Sequence, residues 1–200
     1  LKEISKNEGF AEGILGNIGV AVSSVNNDVV WAIVENKDKG GVYKSMDGGD
    51  NWINIKPGLP NYNITDITVS NSNADHIWVT FSGYTSGEKV YKSTNGGNSW
   101  VNISGTLPNI PVNCIELDKG STLETIYIGT DLGVWTIDST LNIWSTFNQN
   151  SLPNVIVSEL EMQYQSNTLF AATYGRGLWS IGLDITSPPI AEFSFNDSCN

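Results

Sequence analysis

Apolar and aromatic residues in this chain come in short runs, many of them alternating with polar residues, and each run is closed by Gly, Asn, Asp or Pro. Runs of this length and pattern read as β-strands, half-buried where they alternate and fully buried where they do not. No segment sustains the helical period of about 3.6 residues, so the expected fold class is all-β. Strands are expected at 18–22, 29–34, 41–45 and 51–56, and again at 64–69, 77–81, 89–93 and 99–103. A third group follows at 112–117, 125–130, 133–137 and 143–147, and a fourth at 157–162, 169–173 and 177–181.

The groups are copies of one another. Gly41-Val42-Tyr43-Lys44-Ser45 recurs as Lys89-Val90-Tyr91-Lys92-Ser93, Gly133-Val134-Trp135-Thr136 and Gly177-Leu178-Trp179-Ser180, with the aromatic positions 48, 44 and 44 residues apart. Trp52, Trp100 and Trp144 each fall nine residues after the aromatic of their copy. Connectors Gly58-Leu59-Pro60, Thr106-Leu107-Pro108 and Ser151-Leu152-Pro153 keep the same register. Four short antiparallel strands in about 45 residues describe one blade of a β-propeller.

Leu1-Lys2-Glu3-Ile4-Ser5 matches Trp100-Val101-Asn102-Ile103-Ser104, so the chain is expected to open on the last strand of an earlier blade. The fourth group is expected to lack its fourth strand. Closed propellers commonly hold four to eight blades, so residues 1–182 are expected to form an incomplete arc of about four blades, with strand edges left for the remaining blades of the same chain. Residues 183–189 read as a linker. Residues 190–200 carry Ile190-Ala191-Glu192-Phe193-Ser194-Phe195, similar to the first strand of an immunoglobulin-like PKD domain.

Between the third and fourth strands lies Ser45-Met46-Asp47-Gly48-Gly49-Asp50-Asn51-Trp52, repeated as Ser93-Thr94-Asn95-Gly96-Gly97-Asn98-Ser99-Trp100. An Asp or Asn there accepts backbone N–H groups of its own turn, glycine permits positive φ, and the tryptophan buries a large ring. Ser45, Asp47, Gly49 and Trp52, with Ser93, Asn95, Gly97 and Trp100, resemble the Asp-box of BNR-repeat propellers, with Asn95 replacing the aspartate. The resemblance is nearest to the bacterial xyloglucanase and sortilin-like group. It implies a structural turn on the face opposite the ligand, in a secreted or cell-surface protein. An EF-hand is excluded because Gly58, not Glu, stands twelfth from Asp47.

On the resemblance, the ligand face comprises loops 35–40, 82–88, 130–132 and 173–176. Tyr84 and Tyr174 could stack on a sugar ring there, while Asp131 and Arg176 could bond hydroxyls. Glycoside hydrolysis needs two carboxylates about 5 to 9.5 Å apart. Glu35, Asp38, Glu88 and Asp131 are available, with Asp131 and Glu35 the catalytic candidates, although no spacing selects a pair. Arg176 is the sole arginine, so the arginine-based carboxylate capture of a sialidase is not expected.

Other chemistry is excluded by simple counts. Ten Lys and Arg stand against 21 Asp and Glu, a net charge of −11, which disfavours nucleic acid. Cys114 and Cys199, 85 positions apart, and the lone His76 form no metal or redox motif, and no cofactor motif is present. No apolar run reaches the roughly 18 residues of a membrane helix. A leader is expected to be absent or already removed. Asn63, Asn102 and Asn196 begin glycosylation sequons that matter only in a eukaryotic source. The sequence therefore points first to a non-catalytic carbohydrate- or protein-binding propeller segment, and second to part of a two-propeller glycoside hydrolase acting on a β-glucan such as xyloglucan.

Overall fold

A computed structural model describes residues 2–140, 143–147, 152–183 and 194–195. Among these, sixteen strands form four antiparallel four-stranded sheets, each made of strands consecutive in sequence. The first sheet is β1 (Ile18–Val22), β2 (Val30–Val34), β3 (Gly41–Ser45) and β4 (Ile53–Asn54). The second is β5 (Ile64–Val69), β6 (Ile77–Phe81), β7 (Val90–Ser93) and β8 (Val101–Asn102). The third is β9 (Val112–Leu117), β10 (Ile126–Thr130), β11 (Gly133–Ile137) and β12 (Ser145–Thr146). The fourth is β13 (Val157–Gln163), β14 (Thr168–Thr173), β15 (Gly177–Gly182) and β16 (Ser194–Phe195). The fold is an incomplete β-propeller.

The structure differs from the sequence reading in two places. The outer strands β4, β8 and β12 are two residues long, not five or six, each continued by one further backbone bond to the third strand of its sheet. Ile55 is buried, for example, and donates its N–H to Val42 O at 2.8 Å. Short outer strands also limit the edge that another chain could extend. The fourth sheet, expected to have three strands, has a fourth: Ser194 and Phe195 pair antiparallel with Ser180 and Trp179 of β15. The linker 183–189 and the PKD-like segment 190–200 otherwise lie outside the described residues, save Leu183, which is buried in the core beside Met162 and Leu169.

The chain divides into two compact units: 1–82 with 90–103, and 83–89 with 104–200. The core of the first unit lies between its two sheets. Trp31, Ile33 and Val42 on one face of the first sheet meet Ile67, Val69, Ile77, Val79 and Phe81 on the second. On the other face of the first sheet, residues from 4 to 15 fold back so that Phe10 packs against Tyr43 and Trp52, with ring centroids 5.3 and 5.0 Å apart. In the second unit Cys114, Tyr127, Val134 and Phe147 of the third sheet and its flank pack on Leu160, Met162, Leu169 and Ala171 of the fourth. Lysines paired with the central tryptophans lie over them: Lys92 Nζ is 4.8 Å from the Trp78 ring and Lys44 Nζ is 5.8 Å from Trp31.

Candidate functional site

The two Ser-x-Asp/Asn-x-Gly turns close on themselves. The Ser45 hydroxyl donates to Asp47 Oδ1 at 2.8 Å and accepts the Gly49 N–H at 2.8 Å. Asn51 donates its backbone N–H to Asp47 Oδ1 and its side-chain amide to Oδ2, at 2.8 and 2.7 Å. Ser93 and Asn95 repeat the pattern, Asn95 Oδ1 accepting from Ser93 Oγ and Ser99 N, both at 2.9 Å. Gly49 and Gly97 have φ of 95° and 89°, and a Cβ on Gly97 would lie 2.4 Å from Ile55 Cδ1. The tip of each turn is tied to the loop before the second strand of its own sheet, Gly48 N to Asp28 O and Gly96 N to Asp75 O at 2.8 and 3.0 Å. The serine hydroxyls and the Asp47 and Asn95 side chains are thus bonded within their own turns.

The Asn51 amide, the Asn51 backbone N–H and the Ser45 hydroxyl pull the Asp47 carboxyl from 3.8 down to about 2. A group lowered on folding stabilises the fold above its unfolded value and loses that contribution as pH falls through its folded value. Asp47→Asn is therefore expected to flatten the fall in melting temperature between pH 4 and 2 relative to the unaltered chain, measured by circular dichroism at several pH values. An unchanged slope would remove Asp47 from the acid response.

The ligand-face candidates separate by unit. Glu35 and Asp38 join in the first, in a cleft of about 330 Å³ lined also by Lys37, Lys56, Asn61 and Tyr62. Its walls are mainly polar: Lys56 Nζ donates to Asn61 Oδ1 at 2.8 Å, and Glu35 Oε2 accepts the Asn17 N–H at 3.2 Å. Asn36 shapes its rim, bonding Asp38 N, Lys39 N, Glu12 O and Ile14 O.

Tyr84, Asp131, Tyr174 and Arg176 belong to the second unit. Tyr84 and Asp131, 47 residues apart, meet: the phenol donates to Asp131 Oδ2 at 3.3 Å. Asn113 donates to Asp131 Oδ1 at 3.2 Å and to Val157 O at 3.0 Å, and Asn109 donates to Tyr84 O at 2.6 Å. Asn113 is the residue skipped where β9 and β10 shift register, and such a bulge re-aims a side chain that a regular strand would hold in the ladder. Lys89 secures the base of the 83–89 loop: it is buried, its ammonium donates to Gly83 O at 2.5 Å, and desolvation lowers its pKa.

Tyr84 is 68% exposed and Tyr174 79%. Tyr174 N–H donates to Ile156 O at 2.8 Å, and Arg176 gives its carbonyl to the Trp179 indole at 2.9 Å, leaving both side chains outward. Glu88 is half-buried near the end of the same loop as Tyr84. His76 stands at the start of β6 with its backbone bonded to Ser70 and Asn73. Cys114 is buried, and Cys199 lies outside the described residues. Among the described residues no cluster of three His, Cys, Asp or Glu could hold a metal.

Asn109, Asn113, Asn61 and Tyr62 were not singled out from sequence. Asn61 and Asn109 each directly follow a Leu-Pro connector, as does Asn154. That recurrence was the available signal. The Asn113 bulge carries no comparable mark, since it arises from pairing between strands.

No family model matches the chain, and no curated protein matches it in sequence. Solved structures share its fold. A GH74 enzyme of Niastella koreensis superposes with TM-score 0.66 and 15% identity over 88% of this chain and 29% of the other. The GH74 xyloglucanase of Xanthomonas campestris gives 0.62 and 16% over 81% and 28%. The extracellular domain of the protein BT4673 of B. thetaiotaomicron gives 0.62 and 20% over 91% and 22%. This chain thus spans less than a third of each of these structures, and likeness at such identities is one of fold.

Proposed function

We propose that the chain is a propeller segment of a secreted or cell-surface multidomain protein, and that it binds carbohydrate without cleaving it through Tyr84, Asn109, Asn113 and Asp131. One observation carries this reading: an exposed phenol is held by its own hydroxyl on a carboxylate whose other oxygen is held by an amide. A sugar presents an apolar C–H face and hydroxyls that both donate and accept. An outward aromatic beside an amide and a carboxylate suits both parts. Tyr174 and Arg176, exposed in the same unit, supply a second ring and a fixed cation.

The test is affinity electrophoresis of the chain in xyloglucan and in unsubstituted β-glucan gels, beside Tyr84→Ala. Retardation is expected, with the variant weakened about tenfold, equivalent to roughly 1.4 kcal/mol. Equal retardation of the variant, or none for either, defeats the reading, and capture of a protein but no glycan would move the surface to the protein-binding class.

A second reading, part of a glycoside hydrolase acting on a β-glucan, is supported by Glu35 and Asp38 both lining one polar cleft and by the GH74 likeness. Release of reducing ends from xyloglucan, lost in Glu35→Gln, would be its signature.

A further inference from the structure

Lys89 is the one charged residue buried among the described residues, 1% exposed. Burying an ammonium is costly unless its donors meet acceptors, and packing alone would be served by an uncharged side chain. In the repeat register the position belongs to glycine: Gly41, Gly133 and Gly177 stand where Lys89 does.

The outer strand changes with it. Ile55 N–H donates to Val42 O and Ile103 N–H to Val90 O, which sets Lys56 beside Gly41 in the first sheet and Ser104 beside Lys89 in the second. One pair is glycine with lysine, the other lysine with serine. A Cβ on Gly41 would lie 3.0 Å from Lys56 Cδ, so the Lys56 stem runs through the space that a side chain at 41 would enter. In the second sheet the lysine comes from the third strand instead, and the Ser104 hydroxyl accepts the Lys89 backbone N–H at 2.9 Å. Both ammoniums end on the loop between the second and third strands of their sheet. Lys56 Nζ donates to Gly40 O at 3.3 Å and to Asn61 Oδ1 at 2.8 Å, and Lys89 Nζ donates to Gly83 O at 2.5 Å. What recurs is the cation on the loop carbonyl, not the strand that delivers it.

We infer that Lys89 is a positioning residue for the Tyr84 site: its ammonium fixes the 83–88 loop from within, as Lys56 fixes the 35–40 loop, and so sets the Tyr84 ring beside Asp131. It acts through the Gly83 carbonyl, directly before Tyr84, while Asn109 holds the Tyr84 carbonyl at 2.6 Å and Asp131 its hydroxyl at 3.3 Å. That the loop serves a glycan rests on the proposed function; that the ammonium holds the loop does not.

Two variants test this. Lys89→Met keeps the stem and deletes the charge, and Lys89→Gly/Ser104→Lys transplants the arrangement of the first sheet into the second. Loop order is read from hydrogen exchange of the 84–88 amides, and binding from retardation in xyloglucan gels. In Lys89→Met those amides are expected to exchange at least about tenfold faster through loss of a charge-assisted bond, with β6 unchanged and retardation weakened. The transplanted pair is expected to bring both back toward the unaltered chain, which Lys89→Gly alone does not. Unchanged exchange in Lys89→Met, faster exchange with undiminished retardation, or a transplanted pair no better than Lys89→Gly overturns the inference. Where xyloglucan does not retard even the unaltered chain, the proposed function fails separately, and faster exchange in Lys89→Met reversed in the transplanted pair still upholds the ammonium's hold on the loop.

Discussion

Gly9→Ala is expected to undock the segment around residue 9 from the first sheet. Gly9 has φ of 81°, and a Cβ there would stand 1.8 Å from the carbonyl oxygen of Trp52. The obstacle is backbone, so no rotamer relieves it. Holding alanine at that φ alone costs about 1–3 kcal/mol, before the collision is counted. The segment is anchored beside residue 9 by Trp52 N–H donating to Glu8 O at 2.8 Å, an isolated parallel bridge between Glu8 and Asn51, the Asn7 amide donating to Gly49 O at 2.6 Å, and Phe10 and Ala11 packing against Tyr43 and Trp52. Release surrenders the burial of Phe10, about 1.5–3 kcal/mol, together with Ala11 and the bonds to Trp52 and Gly49, and the chain takes the cheaper of strain and undocking. Amide exchange at Trp52 checks it directly. Protection of that N–H should be lost in the variant while the central strand β2 stays protected, and retained protection would show that the turn accommodates a side chain.

The same region shows why some of the molecule is legible in its residues and some is not. Repetition made the blades readable: a Tyr or Trp in each third strand, a tryptophan nine residues on and a Leu-Pro connector recur because every sheet must bury the same positions. The turn at 45–52 could be read for the same reason, its serine, aspartate and glycine each answering a local need of the backbone. Non-repeating contacts left no such trace. Phe10 docks on Tyr43 by a path found once in the chain, and β16 pairs with β15 across a segment whose composition reads as linker. In the site, Tyr84 and Asp131 could be nominated because both stand in loops of one face, yet their meeting depends on where β7 and β10 begin and end. Asn113 lies a step further off, since its aim comes from a register shift. Spacing encodes what lies within one blade, whereas contacts between loops of different blades require the folded sheets.

Phe81→Ala is expected to cost about 3–5 kcal/mol, the ordinary range for an aromatic truncated in a core. Phe81 is fully buried, lies edge-on to Tyr91 with centroids 5.6 Å apart, and closes the end of β6 opposite Ile64. The magnitude turns on whether its neighbours can collapse into the space. β6 is hydrogen-bonded on both sides, to β5 and β7, so its backbone cannot shift without breaking two ladders. Ile64, paired opposite it, and Val79 and Ile67, the next apolar pair along the same two strands, are β-branched and stiff at χ1. The cavity therefore stays largely open, placing the cost at the upper end of that range. Val101→Ala is the control: that side chain lies on an outer strand, 63% exposed, and its loss should change stability by no more than about 0.5 kcal/mol. Urea unfolding followed by tryptophan fluorescence compares the two. A Phe81→Ala midpoint close to that of Val101→Ala would mean that the second sheet does repack, and that the contact between the first two sheets is softer than its burial indicates.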